Sequence, residues 1–457
     1  MRTVSCLALF FLGCFLADAA GSAPRYGIKE LVRLAQTQNP EIAIARKKIA
    51  AAQGSQLEAR AGYLPSVVSN GLYRRRERAE SSRLRPDDYN ASIRVVQNLY
   101  TGGATSARDA IARLTLTRQE DELQAVTDRV TMDVRLAFYE LLLNREEILV
   151  REEAVAVLRE ELKSQRERLS AGTVGPLDAR RAEVALANEE PELIQAQTNL
   201  QNSYLRLSEL CGLDPGESQF EAIGTLQYAP RRPDLDEALA RALLNRPEIR
   251  AAEKDVAIEE RQWEVDRSAT RPHVEFFTGY EAYSERDPNV GPEFNHGYVV
   301  GLNASWAIFD GFATRGRMQA TRARRDGALL ALKAVKLGVK SEVRSAFLDL
   351  QQADSVLQAQ TKNVRTADQA LSYAKNNFAS GLGTQLDVLQ AASDVTRTRS
   401  TRLSAIYLHN AALARLERAT GSVFSETGPP DPKPAEPHPG EQVLQLVRPP
   451  AMLKGRE

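Results

Sequence analysis

Cysteine, histidine and net charge are all scarce in this sequence of 457 residues, and each shortage excludes a class of protein. Of the three cysteines, Cys6 and Cys14 fall in an apolar N-terminal segment, so Cys211 stands alone and an intrachain disulfide is excluded. Four histidines without ligand-like spacing, and the absence of HExxH, GxSxG, CxxC and Walker motifs, predict no catalytic residues, no metal ligands and no cofactor. Lysine plus arginine equals aspartate plus glutamate at 60 each, so no nucleic-acid partner is expected.

Long apolar runs are also scarce, and the one that stands out lies at the N-terminus. Arg2 precedes an apolar run from Val4 to Leu16, and small residues follow at 17 to 19, which is typical of a cleaved signal peptide over residues 1–19. Lipidation at Cys14, within "FLGC", is the alternative. Beyond this segment no run of about 18 apolar residues occurs, so no second transmembrane helix is expected. Any contact with a membrane must therefore be made by strands.

The rest of the chain contains an internal sequence repeat. At an offset of 207 residues "QNPEIAIA" recurs as "NRPEIRAA", and at an offset of 209 "VRLAFYEL" recurs as "VRSAFLDL" and "GTVGPLD" as "GLGTQLD". Such matches, kept in order, predict an internal two-fold repeat with structural units at residues 27–211 and 234–421. Residues 212–233 would link the two repeats, and the Pro-rich tail at 422–457 is expected to be partly disordered.

Each repeat is expected to open with one helix and to end with a very long helix and a returning helix. Residues 104–171 contain neither glycine nor proline, and a continuous helix over about 102–171 would be roughly 100 Å long. Its counterpart is expected at about 311–380, and the returning helices at about 176–211 and 385–420. The long helices are polar with narrow apolar seams, which suits either a solvated coiled coil or the wall of a water-filled tube.

Between the helices of each repeat the sequence predicts two strands, giving four at about 65–74, 89–100, 273–284 and 296–309. Apolar and polar residues alternate along the second and fourth strands, and aromatic residues lie near the ends of the apolar rows: Tyr89, Tyr100, Tyr298 and Trp306. The pattern is typical of membrane-barrel strands with aromatic residues at the membrane interface, although a soluble hairpin packed on helices needs the same alternation. Four strands cannot close a barrel and open edges are costly in lipid, so the barrel must be shared, and three chains would supply twelve strands.

These motifs, in order and twice, resemble the outer membrane efflux protein family, the TolC-like outer membrane factors, over about residues 27–421. The resemblance rests on the duplicated "NPEI" opening, the strand ends "LYTGG" and "IFDGF", the "VRLAFYEL" blocks and the Gly-rich turns that end in Leu-Asp. It implies a fold that is mainly α with a small β part. In that fold a homotrimer builds a 12-stranded transmembrane β-barrel, which is continuous with a long-helix α-barrel.

The resemblance also implies a function without catalysis. A member of this family is an outer membrane channel, the exit duct of a tripartite efflux or type I secretion system, and it extends into the periplasm. It passively conducts substrates from a periplasmic adaptor protein and an inner-membrane transporter, so the expected partners are further copies of the chain, these two proteins and outer membrane lipid. The alternative is a periplasmic or secreted coiled-coil scaffold without a pore.

The Gly-rich turns between the long and the returning helices are the candidate sites. "SGLGTQLD" lacks the lysine of a phosphate loop and follows a helix, which excludes that kind of nucleotide site. It is predicted to be a turn in which Thr384 is the N-cap of the returning helix and Asp387 completes a capping box. In the first repeat the corresponding residues are Gly175, Pro176 and Asp178.

By the resemblance, these turns form the periplasmic end of the duct, where the gate lies and the adaptor docks. The gate and selectivity residues would be Asp387, Asp178 and Gln390, and the adaptor-docking residues would be Gly172, Thr173, Gly175, Gly381, Gly383 and Thr384. The best-known member has a second aspartate at the position of Gln390 and an arginine at the position of Gly383. The acidic ring expected from three copies of Asp387 is therefore weaker here.

Overall fold

The structure, a computed structural model, describes residues 24–75, 85–214, 220–231, 233–285, 287 and 289–421. The expected signal peptide, the alternative lipidation site at Cys14 and the Pro-rich tail lie outside these residues. In the first half the elements are β1 (Arg25–Tyr26), α1 (Ile28–Gln38), α2 (Pro40–Ala61), β2 (Ser66–Arg75), β3 (Asp87–Tyr100), α3 (Ala104–Ser170) and α4 (Pro176–Cys211). In the second half they are β4 (Glu221–Ala222), α5 (Leu235–Asn245), α6 (Pro247–Ser268), β5 (His273–Ser284), β6 (Phe294–Ser305), α7 (Ala313–Ala379) and α8 (Gln385–Thr420).

The helices of the two halves have equal lengths. Helices α1 and α5 have 11 residues each, and α2 and α6 have 22. The long helices α3 and α7 have 67 residues, so each extends over roughly 100 Å. The returning helices α4 and α8 have 36 residues each. None of the described helices is long and apolar enough to cross a membrane.

Two features differ from the expected order of elements. The opening helix of each repeat is two helices, because a proline begins the second one and keeps the residue before it out of the helical conformation: Asn39 precedes Pro40, and Arg246 precedes Pro247. The linker also contributes the short strand β4, which pairs in parallel with β1. Both differences lie near the C-terminal ends of α4 and α8.

The predicted fourth strand at 296–309 is wrong at its C-terminal end, because β6 stops at Ser305. Trp306 lies outside the strand, and its indole Nε1 donates a hydrogen bond to the Thr270 carbonyl oxygen at 3.0 Å. The indole N–H thus gains a partner beside α6, and the chain turns there toward α7.

The four long strands form one antiparallel sheet in the order β2-β3-β5-β6. The central strands, β3 and β5, pair with each other and join the two halves, with Ser92 opposite Glu281 and Asn98 opposite Glu275. Within this sheet β2 and β6 each have a neighbour on one side alone. The helices next to the sheet pack in the same sequence, α2 on α3, α3 on α6 and α6 on α7.

Toward the turns, α4 packs on α3, α3 on α8 and α8 on α7. The main apolar clusters lie where the short helices meet these long ones, and they include Leu31, Leu141 and Leu207 in the first half and Val343 and Leu416 in the second. Cys211 belongs to the first cluster, and burial raises the pKa of its thiol to about 11. Such a thiol is almost fully protonated at neutral pH, so Cys211 is a packed residue rather than a reactive one.

Gly212, the C-cap of α4, is predicted to be the more sensitive of two equivalent glycines. Both Gly212 and Gly421 have left-handed backbones, with φ of 71° and 63°. A Cβ at Gly212 would lie 2.5 Å from the Gln38 carbonyl oxygen, whereas at Gly421 the nearest atoms are 3.2 Å away. Gly212→Ala should therefore cost about 2 kcal/mol or more in unfolding free energy, from left-handed strain plus the backbone clash.

Gly421→Ala is the matched control, because it carries the same backbone strain without so close a contact. The measurement is the thermal unfolding midpoint of each purified variant. An equal loss in both variants would contradict the packing of α4 on the joint between α1 and α2.

Candidate functional site

The turn between α3 and α4 is closed by main-chain hydrogen bonds at a left-handed glycine. Gly172 has φ of +72°, and its N–H donates to the Leu169 carbonyl oxygen at 3.0 Å. Both the N–H and the hydroxyl of Thr173 donate to the Arg168 carbonyl oxygen at 2.9 Å. These contacts satisfy carbonyl groups that the end of α3 leaves free.

Helix α4 then begins at Pro176 with Gly175 as its N-cap, and no side chain caps it. Asp178 lies in the first turn of α4 and is half-buried. A carboxylate at this position is favoured by the partial positive charge of the helix N-terminus. The structure therefore explains Asp178 by its place in the helix, and its part in a gate stays a prediction.

The turn between α7 and α8 has the same form with a stronger cap. Gly381 has φ of +74°, and the N–H groups of Leu382 and Gly383 both donate to the Asn377 carbonyl oxygen, at 2.8 and 3.1 Å. The predicted capping box is confirmed. Thr384 donates from its N–H and its hydroxyl to Asp387 Oδ2 at 2.8 and 2.7 Å, and its hydroxyl accepts from the Asp387 N–H at 3.3 Å.

These contacts set the charge state of Asp387. Hydrogen bonds from the Thr384 hydroxyl and N–H stabilise the carboxylate and hold the pKa of Asp387 below its ordinary value. Because its pKa is lowered, Asp387 is ionised at neutral pH. The side chain is also exposed, so this charge is in contact with solvent. Within one chain, Asp387 is thus both a cap and an exposed negative charge.

Asp387 lies on one face of α8 with two further polar side chains. Gln390 and Asp394, three and seven residues later, line the same groove of 590 Å³ between α7 and α8. Gln390 donates to Asp394 Oδ1 at 3.3 Å, and Arg397 donates to the same oxygen at 3.1 Å. Sequence reasoning missed Asp394, although a spacing of seven residues on a helix could have indicated it.

A contact between the two turns was also missed. The Arg168 guanidinium lies over the Phe378 ring, with Cζ 4.8 Å from the ring centroid. Arg168 belongs to the end of α3 and Phe378 to the end of α7, so this cation–π contact joins the two helix ends directly. Nothing in the spacing of these residues, which are far apart in sequence, indicates that they meet.

The opposite end of the molecule carries the four aromatic residues that are predicted to lie at the membrane interface. Tyr89, Tyr100, Tyr298 and Trp306 are all exposed, and Tyr298 is 92% exposed. The structure adds Tyr73 and Tyr280, whose rings lie 5.0 Å from Tyr89 and 5.1 Å from Tyr298. The face of the sheet that carries Tyr298 also exposes Ile93, Val300 and Leu302. This exposed apolar face is what a lipid-facing sheet requires.

Comparison with known proteins finds matches that cover most of the chain. The sequence profile of the family described as "Outer membrane efflux protein" matches residues 31–213 and 238–422. Protein CyaE of Bordetella pertussis is 27% identical over 410 residues, covering 88% of this chain and 85% of CyaE. The cobalt-zinc-cadmium resistance protein CzcC of Cupriavidus metallidurans is 24% identical over 409 residues, covering 89% and 92%. The crystal structure of the Campylobacter jejuni CmeC outer membrane channel aligns with a TM-score of 0.76 at 16% identity, covering 86% of this chain and 85% of CmeC.

Replacing Thr384 should uncouple the cap from Asp387. In Thr384→Ala the pKa of Asp387 should rise toward its ordinary value, and the first-turn amides of α8 should exchange hydrogen faster. Because the folded pKa is lowered, the stabilisation by the cap is present above the ordinary carboxyl pKa and is lost as the pH falls through the lowered one. Hydrogen exchange followed by mass spectrometry from about pH 3 to 7, corrected for intrinsic rates, measures this.

Thr173→Ala is the control, since that hydroxyl donates to the Arg168 carbonyl oxygen at the end of α3, in the other turn. It should leave exchange in α8 unchanged. Identical exchange of residues 385–388 in Thr384→Ala and the wild type at every pH would disprove the coupling.

Proposed function

The chain belongs to the outer membrane efflux protein family, and from this premise we propose that three copies of it form one continuous duct. As a member, it is an outer membrane exit duct of an efflux or secretion system and extends into the periplasm. The observation that carries the trimer is the four-stranded sheet with its exposed apolar face and its two open edges.

The edges of the sheet support sharing between chains. Strands β2 and β6 each lack a neighbour on one side within the described sheet, and unpaired backbone groups cost several kcal/mol each in lipid. Pairing β6 of one copy with β2 of the next would close the sheet, and three copies would give a 12-stranded barrel with an open lumen.

Helix α7 supports the same arrangement. Gly316, Gly327 and Gly338 recur every eleven residues, which places them on one face of the helix. Among the described residues, no atom lies within 4 Å of a Cβ built at any of the three. Leu330, three residues after Gly327, lies beside this face and is 68% exposed. Because α7 and α2 are the outer helices of the layer next to the sheet, we propose that this face packs on α2 of the next copy.

The length of the helices and the internal repeat of the chain support the remaining parts of the proposal. Two repeats, residues 27–211 and 234–421, would supply paired helices of roughly 100 Å, enough to reach across an aqueous compartment from a membrane barrel. We propose that the turns bearing Gly172, Thr173 and Gly175 and those bearing Gly381, Gly383 and Thr384 dock a periplasmic adaptor. An inner-membrane transporter would deliver substrate and energy, so the duct itself is passive and has no catalytic site.

The gate proposal concerns three copies of Asp387 around the axis of the duct. Such a ring attracts cations and repels anions, and its like charges raise the carboxyl pKa, against the effect of the Thr384 cap. Gln390 contributes no charge, so the ring is less acidic than one with a second aspartate. Asp178, half-buried and without a side-chain cap, is the secondary candidate.

The rival function, a coiled-coil scaffold without a pore, leaves the apolar face of the sheet unexplained. A soluble scaffold would bury Val300 and Leu302, which are 70% and 66% exposed. The name of CzcC refers to cobalt, zinc and cadmium resistance, and we propose that metal ions are one of several cargo classes, with drugs and proteins, that such ducts conduct. We propose that selection among them lies in the transporter.

Planar-bilayer recordings test the duct and the gate together. The purified full chain should form channels, and Asp387→Asn should lower the cation-to-anion permeability ratio about twofold and weaken block by multivalent cations. The physical reason is the loss of three negative charges at the narrow end.

Asp178→Asn is the matched comparison, because it removes one carboxylate from the equivalent turn and should have a smaller effect. No conductance and full solubility without detergent would favour the scaffold. Channels with unchanged selectivity in Asp387→Asn would reject the acidic ring and leave Asp387 as a helix cap.

A further inference from the structure

The second face of the sheet, opposite the apolar one, carries charges that are mostly paired. Arg74 Nη2 and Asp88 Oδ2 lie 2.8 Å apart across β2 and β3. Arg94 of β3 pairs with Glu281 of β5. Each pair contributes one positive and one negative charge, so neither gives this face a net charge.

The Arg94 side chain lies flat against the sheet. Its guanidinium Cζ is 5.4 Å from the Phe277 ring centroid. This packing requires glycine at two positions. A Cβ at Gly279 would lie 2.8 Å from the Arg94 Cα, and a Cβ at Gly301 would lie 2.6 Å from the Phe277 ring. The middle of this face is therefore a packed, electrically neutral wall.

Glu275 differs from these charges because it has no cationic partner. It stands between Asn98 and Asn303 in the register of the sheet, and Asn303 Nδ2 donates to Glu275 Oε1 at 2.9 Å. Among the residues that the structure describes, no lysine or arginine forms an ion pair with it. It is the third residue of β5, so it lies at the end of the sheet where the helices begin.

We propose that Glu275 is a selectivity-determining residue of the duct, with small cations as the favoured species. The inference rests on the proposed threefold barrel, whose polar face lines the lumen and presents three copies of Glu275 as a ring. This ring lies at the junction of the strands and the helices. The length of α7 separates it from Asp387 by roughly 100 Å, many times the Debye length, so the two rings act independently.

The test compares Glu275→Gln with the wild type in planar bilayers under a KCl gradient. At about 0.1 M salt the K⁺-to-Cl⁻ permeability ratio should fall about twofold, and near 1 M, where charges are screened within about 3 Å, the difference should vanish. Both proteins are recorded at the same pH, so that His273 on the same face contributes equally to each.

Two further variants isolate the charge. Arg94→Gln combined with Glu281→Gln removes one charge of each sign from the same face and should leave the ratio unchanged. Glu275→Asp keeps the carboxylate and should also retain the wild-type ratio. These variants distinguish a net charge at Glu275 from a general disturbance of the lumen wall.

Channels of normal conductance with an unchanged ratio in Glu275→Gln would overturn the proposal. An equal change in Glu275→Asp would also overturn it, because shape rather than charge would then be responsible. Absence of channels in the wild type would instead contradict the proposed duct, and the selectivity ring with it.

Discussion

The open edges of a four-stranded sheet are the constraint on which the rest of this structure depends. The sheet exposes an apolar face suited to lipid, yet among the described strands β2 and β6 each have a neighbour on one side alone. Lipid offers no hydrogen bonds to such edges, and the proposed trimer would supply the missing neighbours from other copies of the chain. The helices share this constraint, because they pack in the same sequence as the strands, and no described residue covers the face of α7 that carries its glycines.

The polarity of the long helices follows from the way they are packed. A helix of 67 residues that packs on both sides and meets water on its other two faces can have only narrow apolar seams. The apolar clusters are therefore concentrated where short helices cover the long ones, around Leu141 and Val343. Elsewhere ion pairs join the helices, as between Arg151 and Glu189 on α3 and α4, or Lys336 and Glu253 on α7 and α6.

Much of the fold could be predicted because its signals are local or repeated. Stretches without glycine and proline indicate the long helices, and the threonine and aspartate of the capping box act within a single turn. The end of β6 could not be predicted, because the partner of Trp306 is a carbonyl oxygen 36 residues away in sequence. The contact of Arg168 with Phe378 and the hydrogen bond from Asn303 to Glu275 likewise depend on tertiary packing, which no spacing in the chain records.

The central claim is that three chains share one barrel, and the mass of the detergent-solubilised complex tests it most directly. Light scattering, with the contribution of detergent subtracted, gives the protein mass of the particle independently of its shape. A shared barrel of twelve strands requires the mass of three mature chains. A stable particle with the mass of one or two chains would contradict it, because four strands cannot close and eight leave a lumen filled by side chains.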